Sequence, residues 1–297
     1  MDYKQLQALA AVIEEQNFER AALKLNVTQS AISQRVKQLE ENLGHALLIR
    51  SQPITPTQAG RIVLKHFRQI SLLQQNTLTE LNPEHQEGFT RLAIGVNADS
   101  LASWFITAIS KFIDTHSVLI DIRVDDQDET LRMLQNGEVV GCITSANKPL
   151  QGSHCIALGT CNYHCVASPT FQQRYFTQGV TKQALLNAPG VEFNHKDALH
   201  SRYLKRFFNI SNGHYHCHRV PSAEAFTGIM IAGNAYGLVP FDLAKAHINS
   251  GELIDLTPDK TLQVPLYWHL WSLKSPLMRS LTHAIQDATK QILTPMD

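Results

Sequence analysis

Features that place a protein in a membrane or outside the cell are missing from this sequence of 297 residues. It contains no run of eighteen apolar residues, so no segment is a candidate transmembrane helix. Its first residues, from Met1 to Lys4, do not begin the basic start and apolar run of a signal peptide. We therefore expect a soluble, cytoplasmic protein that has no membrane partner.

Disulfide and metal-binding patterns are missing as well. The five cysteines are odd in number and include no C-x-x-C pair, which favours reduced thiols. A metal is suggested only where His214, His216 and His218 surround Cys217. On a strand these histidines share one face while the cysteine points away, and no second ligand pair has zinc-site spacing. We expect ordinary strand histidines and no metal site.

The sequence also lacks the common motifs of catalysis: a G-x-S-x-G elbow, a Walker loop, H-E-x-x-H and a dinucleotide fingerprint. We therefore expect no enzyme, no catalytic residue and no cofactor. The formal net charge of zero argues against a globally basic coat for nucleic acid but permits a local basic face. An apolar content of 43% in a chain of this length predicts two or three globular units.

The first 44 residues have the periodicity of three short helices. Apolar residues recur at helical spacing from Leu6 to Ile13 and again from Phe18 to Leu25. After a tight turn, Thr28 can cap a third helix. The small residues Ala21 and Ala22 let the second helix approach the third closely. A turn of three or four residues between such helices is typical of a helix-turn-helix, here about 18–37.

The third predicted helix has one apolar and one polar face. Ile32, Val36 and Leu39 form the apolar stripe, so the opposite face can enter a major groove. Gln34 can read a base edge, whereas arginine and lysine side chains suit phosphates. The same polar residues would also serve as an ordinary solvated helix face. The candidate DNA-binding residues are Thr28, Gln29, Ser30, Ser33, Gln34, Arg35, Lys37 and Arg50.

A wing and a long helix follow. Ser51 to Pro56 contains two prolines and is typical of a hairpin wing, and Thr57 can cap a helix that continues to about Leu81. Apolar residues at a four-three spacing on this helix predict a short dimer interface at Val63, Phe67 and Ile70. We therefore expect a winged helix-turn-helix domain at 1–58 and a linker and dimerisation helix with a hinge at 59–87.

Beyond Gly88 the pattern changes to strands that alternate with helices. Strands at 92–96, 120–124 and 141–146, with helices near Asp99 and after Asp128, predict a β-α-β-α-β unit with a parallel sheet. The pattern repeats from Tyr163 to Pro240, and a terminal helix from Pro276 is long enough to return to the first unit. The fold class is thus α/β behind an all-α winged helix-turn-helix. We expect lobe I at about 88–162 and 268–297, lobe II at about 163–267, and a cleft between them.

Longer segments resemble a known family. Leu25–Leu39 (LNVTQSAISQRVKQL) and Leu47–Gly60 (LLIRSQPITPTQAG) are similar to LysR-type transcriptional regulators. Ile94–Ala102 (IGVNADSLA), Gly137–Gly141 (GEVVG) and Gly251–Pro258 (GELIDLTP) are similar to the ArgP/LysG group of that family. The resemblance covers essentially the whole chain. One departure is the wing, which carries no Lys or Arg beyond the preceding Arg50, whereas wings in the family are often basic.

The resemblance implies a regulator that binds promoter DNA as a homodimer or a dimer of dimers and acts on RNA polymerase. It also implies a periplasmic-binding-protein-like (type 2) effector domain that senses lysine or arginine, and control of genes for amino-acid transport or metabolism. A nucleoid-associated protein or an inhibitor of replication initiation would use the same DNA-binding face, so this alternative stays open.

For such an effector, the cleft must supply a site for a carboxylate and acceptors for a cation. Helix starts and strand ends at the cleft carry polar residues that suit the carboxylate, although capping alone would explain them. Acidic residues at strand ends suit the cation, although each is also a common cap or surface charge. The first set is Asp99, Ser100, Thr144 and Ser145, and the second is Asp125, Glu192, Glu224 and Asp242.

Overall fold

The computed structural model of the protein describes residues 1–81, 88–125, 127–211, 213–273 and 275–296, without the side chains of positions 76, 79, 80, 127 and 128. Most of the predicted hinge, 82–87, therefore lies outside the described residues. In the described part of the chain, no helix is both long and apolar enough to cross a membrane.

Three helices and a short hairpin form the N-terminal unit, as the periodicity predicts. Thr28 caps the third helix, because its Oγ1 accepts a hydrogen bond of 3.2 Å from the Ala31 amide, and Gly44 ends it in the left-handed region. The apolar stripe of that helix is buried against the first two helices. The elements are α1 (Tyr3–Glu15), α2 (Phe18–Lys24), α3 (Gln29–Leu43), β1 (Leu48–Ile49) and β2 (Thr55–Pro56).

The long helix α4 (Gln58–Leu81) packs on both parts of the protein. Val63 is only 9% exposed and belongs to the core of the N-terminal unit, and Phe67 and Ile70 pack partly buried against the same core. The Phe67 ring lies 5.4 Å from that of Tyr3 in α1. Contacts within the chain therefore cover part of this stripe, and a dimer interface at these three residues stays a prediction. Two residues after Ile70, Leu72 belongs to the core of the following unit.

The predicted parallel unit is confirmed. β3 (Thr90–Val96) lies between β4 (Val118–Val124) and β5 (Gly141–Thr144) and is parallel to both. The first connecting helix has an internal π-helical turn, and the second is α7 (Gln127–Gln135). The first consists of α5 (Ala98–Ser100), the π turn (Leu101–Phe105) and α6 (Ile106–Thr115) in succession.

Two long strands join the lobes in one mixed sheet. β6 (Ser153–Ala167) pairs antiparallel with β11 (Leu262–Trp271), and β11 pairs antiparallel with β5. β6 begins ten residues before the predicted strand, so the lobes share a sheet of seven strands rather than having one each. The terminal helix α13 (Pro276–Thr289) packs against α6 in lobe I, as predicted.

Lobe II contains the remaining elements. Three of its helices, α8, α10 and α12, and the short strand β10 were not predicted from the sequence. Its elements are α8 (Pro169–Tyr175), α9 (Lys182–Asn187), β7 (Gly190–Glu192), α10 (Leu199–Phe208), β8 (Cys217–Arg219), α11 (Ala223–Ile231), β9 (Gly237–Pro240), α12 (Phe241–Asn249) and β10 (Ile254–Asp255).

Candidate functional site

The polar face of α3 lies at the surface of the N-terminal unit. Gln34 and Lys37 are exposed, while Arg35 is half-buried beside them. The Lys37 ammonium lies 3.7 Å from the Glu41 carboxylate, an exposed pair that adds little stability and leaves the ammonium at the surface. Of the other candidates, Ser33 is half-buried, and Thr28, Gln29, Ser30 and Arg50 are exposed.

Arg50, at the base of the wing, is also bound within the chain. Its guanidinium donates a 3.0 Å hydrogen bond to Glu40 and lies 5.8 Å from the centre of the Phe18 ring. The other carboxylate oxygen of Glu40 accepts from the backbone amides of Leu47 and Leu48. Arg50 therefore ties α3 to the first strand of the wing, in addition to any contact it makes with DNA.

A cavity of about 510 Å³ lies between the lobes, within the size range of small-molecule sites. Lobe I provides the start of α5, Ser145 after β5, and part of α7. Lobe II provides the loop 193–199 and the start of α10, together with apolar side chains such as Phe226 and Leu243. The cavity is thus polar on one side and partly apolar on the other.

Charged side chains of both signs line this cavity. The described lining residues include four carboxylates, Asp99, Asp125, Glu129 and Asp197, and three cations, Arg132, Lys196 and Arg202. One ion pair lies on α7, where Arg132 is 3.1 Å from Glu129. Another spans the cleft, where the Lys196 ammonium of lobe II is 3.9 Å from Asp125 of lobe I. The lining therefore carries one more negative than positive charge.

Asp99 and Asp197 place carboxylates on opposite lobes of the cavity. Asp99 accepts a 2.5 Å hydrogen bond from the Tyr163 hydroxyl. Burial, opposed by this hydrogen bond and reinforced by the negative charge of Asp197, raises the pKa of Asp99 to about 6. Asp197 accepts from the amides of Phe193 and Leu199, which fixes its carboxylate at the start of α10. The two carboxylates thus belong to opposite walls of one cavity, close enough for the charge of Asp197 to contribute to the raised pKa of Asp99.

Three of the eight predicted effector residues line the cavity: Asp99, Asp125 and Ser145. Ser100 and Thr144 are buried next to them and are not part of the lining, because successive residues of a helix or strand point in different directions. The structure therefore does not bring the side chains of these two residues to the cavity surface.

The other three predicted carboxylates, Glu192, Glu224 and Asp242, are not part of the cavity lining. Glu192 lies between two lining residues of one extended segment, Val191 and Phe193, and therefore points to the opposite side. There it accepts hydrogen bonds from Tyr215 and Cys217 of the neighbouring segment. Glu224 and Asp242 are exposed, and their sequence neighbours Ala223 and Leu243 line the cavity.

Several lining residues were missed by the sequence reasoning, notably Asn97, Glu129, Asp197 and His200. Asn97 directly follows β3, a position that the strand-end rule could have identified. Asp197 and His200 were missed because α10, which begins just after Asp197 and contains His200, was not predicted. Among the described residues, no group of three or more His, Cys, Asp and Glu side chains is arranged to hold a metal ion.

Comparison with protein-family models identifies both parts of the chain. Residues 3–61 match the bacterial regulatory helix-turn-helix protein, lysR family, and residues 85–290 match the LysR substrate binding domain. Among curated relatives, the HTH-type transcriptional regulator ArgP of Photobacterium profundum is 41% identical over 99% of this chain and 98% of its own length. ArgP of Klebsiella pneumoniae is 42% identical over 98% of each chain.

Solved structures show the same architecture. ArgP from Mycobacterium tuberculosis superposes with a TM-score of 0.89 at 35% identity, over the whole of both chains. Full-length LysG from Corynebacterium glutamicum, with the effector Arg bound, superposes with a TM-score of 0.80 at 33% identity, over 99% of this chain and 100% of LysG.

Proposed function

Because the chain belongs to the LysR family of transcriptional regulators, we propose that it binds promoter DNA through α3 and responds to lysine or arginine in the interlobe cavity. The chain is a DNA-binding transcription regulator and not an enzyme. LysG, which shares its full-length architecture, has been solved with Arg bound. A basic amino acid is therefore the effector class that we assign to this chain.

The single observation that carries the effector proposal is the pair formed by Asp99 and Asp197. A cationic group beside each carboxylate would replace their mutual repulsion by attraction, in a site where burial already raises the pKa of Asp99. The pairs Arg132–Glu129 and Lys196–Asp125 already supply cations to the other two acidic residues. We therefore assign the effector's two positive charges to these carboxylates, the α-ammonium to Asp99 in lobe I and the side-chain cation to Asp197 in lobe II.

The α-carboxylate suits the start of α5. Asn97 occupies the N-cap position, yet its side chain makes no capping hydrogen bond, so the first amides of this helix keep their donors for another acceptor. Ser145 lines the same side of the cavity. The backbone amides at the start of α5, rather than the buried Ser100 hydroxyl, are our revised site for the carboxylate.

For the assembled protein we propose a homodimer or a dimer of dimers on a promoter, with RNA polymerase as a further partner. The partner helix would contact apolar side chains of α4 that are not covered within the chain, which are Ile62, Leu73, Leu78 and Leu81. The regulated genes would serve transport or metabolism of amino acids. Genome-wide footprinting that showed broad coating of DNA would instead favour the nucleoid-associated alternative.

Calorimetric titration of the full-length protein with lysine, arginine and glutamate tests the effector proposal. We expect both basic amino acids to bind and glutamate not to bind. Asp197→Asn should weaken lysine binding about tenfold or more, because it removes the charge from a charge-assisted hydrogen bond. Asp287→Asn, an exposed change on α13, is the control. No binding of either basic amino acid by the wild-type protein would refute the proposal.

A further inference from the structure

Four buried side-chain atoms in the described part of the chain have no hydrogen-bond partner: Asn97 Oδ1, Asn162 Oδ1, His200 Nδ1 and His269 Nδ1. An unsatisfied buried acceptor is costly and rare, so each of these atoms needs an explanation. Asn97 and His200 line the interlobe cavity, whereas Asn162 and His269 do not. The chain thus contains one asparagine and one histidine of this kind at the cavity, and a matching pair elsewhere.

The two cavity residues lie on opposite lobes. Asn97 is 6% exposed and follows β3 in lobe I, and His200 is 1% exposed and lies in α10 of lobe II. Each is close in sequence to a carboxylate of the same wall, Asp99 or Asp197. Each lobe therefore presents a carboxylate together with an unsatisfied polar atom.

The protonation state of His200 follows from its neighbours. The Tyr236 hydroxyl has a single proton, which it donates to the Leu185 carbonyl, so its oxygen accepts from His200 Nε2–H at 3.3 Å. Burial lowers the pKa of His200 to about 4, which keeps the ring neutral at physiological pH. A neutral imidazole has one N–H, and therefore His200 Nδ1 is an acceptor without a donor.

We propose that His200 and Asn97 make the cavity specific for effectors with N–H donor groups at both ends, each residue accepting a hydrogen bond from one of them. The inference rests on the proposed function and extends it to the selection of the effector. With the α-carboxylate at the start of α5, the α-ammonium lies on the lobe I side and donates to Asn97. The side-chain ammonium or guanidinium then extends to lobe II and donates to His200.

The surroundings of the two acceptors fit such a molecule. Phe226 and Leu243 contribute apolar surface to the lobe II side, which suits the methylene chain between the two donor groups. An effector that satisfies both acceptors would remove the cost of two buried unsatisfied atoms, one on each lobe. A neutral amino acid of the same length leaves His200 unsatisfied, so the site discriminates against it.

Norleucine tests the inference because it has the shape of lysine with a methyl group in place of the ammonium. We expect the wild-type protein to bind lysine at least about tenfold more tightly than norleucine. In His200→Phe the ratio of the two dissociation constants should fall substantially. In Asn97→Ala both affinities should fall together with the ratio preserved, because both ligands carry the α-ammonium.

The matched controls are His269→Phe and Asn162→Ala, which alter equivalent unsatisfied residues outside the cavity and should leave both affinities unchanged. Thermal unfolding of every variant checks that it is folded. A folded His200→Phe protein that keeps the wild-type ratio would overturn the role of His200. If the wild-type protein still binds lysine or arginine, the proposal that a basic amino acid is the effector stands even when the role of His200 fails. The failure of the inference and the failure of the proposed function can therefore be told apart.

Nitrogen NMR of the histidine rings supplies a readout that needs no substitution. An unprotonated ring nitrogen changes its chemical shift when it accepts a hydrogen bond. We expect the His200 Nδ1 signal to move on addition of lysine and not on addition of norleucine, with the His269 signal as the internal reference. A His200 signal that does not respond to saturating lysine would overturn the inference even if His200→Phe does not fold.

Discussion

The guanidinium of Arg68 donates a 2.5 Å hydrogen bond to the carbonyl oxygen of Gly137, and this bond joins the linker helix to lobe I. Arg68 lies on α4, and its guanidinium is also 4.0 Å from Glu14 at the end of α1. Gly137 follows α7, the helix that places Glu129 and Arg132 at the cavity. α7 therefore lines the interlobe cavity and leads directly to a contact with α4, whose Arg68 also reaches α1 of the N-terminal unit.

Substitution of Gly137 by alanine should disturb this contact. An added Cβ would lie 2.4 Å from the Lys65 Cβ, and Gly137 has a positive φ of 73° that alanine rarely adopts. We expect a loss of about 1 to 3 kcal/mol in the free energy of unfolding, together with a weaker effect of effector on operator affinity. Chemical denaturation and gel shifts with and without lysine measure the two quantities.

Gly152 offers the matched control for that experiment. Its φ of 75° is nearly the same, but an added Cβ would meet no atom within 4 Å. Gly152→Ala should therefore lower the free energy of unfolding through its positive φ alone, without displacing α4. The effect of effector on its operator affinity should stay normal. Equal responses to effector in the two variants would contradict a role for the contact between Gly137 and α4.

Effector affinity should depend on pH through Asp99. Its pKa is raised to about 6 by burial and by Asp197, with the Tyr163 hydroxyl opposing the shift. A bound cation favours the ionised carboxylate, so affinity is highest above this pKa and falls as the pH decreases through it. We expect binding of lysine to be about tenfold weaker near pH 5 than near pH 7.5, while lysine itself stays charged.

Calorimetry over this pH range provides the measurement, and Asp99→Asn provides the control. The asparagine keeps an acceptor for Tyr163 but cannot ionise, so we expect weak binding that no longer varies between pH 5 and pH 7.5. An unchanged affinity for lysine across the range in the wild-type protein would rule out ionised Asp99 as a partner of the effector.

On α3, we expect Gln34 to recognise bases and Lys37 to bind phosphates, so substitutions of the two residues should have different effects. Gln34→Ala should cost about 1 to 3 kcal/mol on the cognate operator and little on unrelated DNA. Lys37→Ala should weaken binding to all DNA and lower the slope of the salt dependence by about 1. Gel shifts on specific and random duplexes at several salt concentrations distinguish the two effects. Wild-type binding by both variants would show that this face of α3 is not the DNA interface.

Two substitutions on α4 should affect different properties. Leu78→Asp introduces a charge at an exposed apolar position, so we expect weaker self-association and unchanged thermal stability of the monomer. Val63→Ala removes buried methyl groups from the core of the N-terminal unit and should cost about 1 to 3 kcal/mol of stability without dissociating the oligomer. Sedimentation measures self-association, and thermal unfolding measures stability. If Val63→Ala dissociated the oligomer and Leu78→Asp did not, Val63 and not Leu78 would belong to the oligomer interface.

Local signals in the sequence identified many of the elements. The Thr28 cap, the Gly44 stop and the alternating residues of β3 act through contacts within a few positions, so their consequences do not depend on the distant chain. Helix α8 also carried such a signal, since Ser168 caps it and Pro169 occupies its first turn, although the sequence reasoning did not use it.

The sequence by itself determined the order of the units, the recognition helix and the positions of several strand ends, because periodicity and capping are short-range effects. Only the tertiary structure decided which polar residues meet. Glu192 and Val191 are adjacent in the chain, yet strand alternation points one at β8 and the other at the cavity. Asp99 and Asp197 are far apart in the chain and line one cavity because β6 and β11 hold the two lobes together. The spacing of Val63, Phe67 and Ile70 suits a partner helix, and only the tertiary structure shows that this stripe packs on the core of the N-terminal unit. An apolar stripe does not record in sequence which surface covers it.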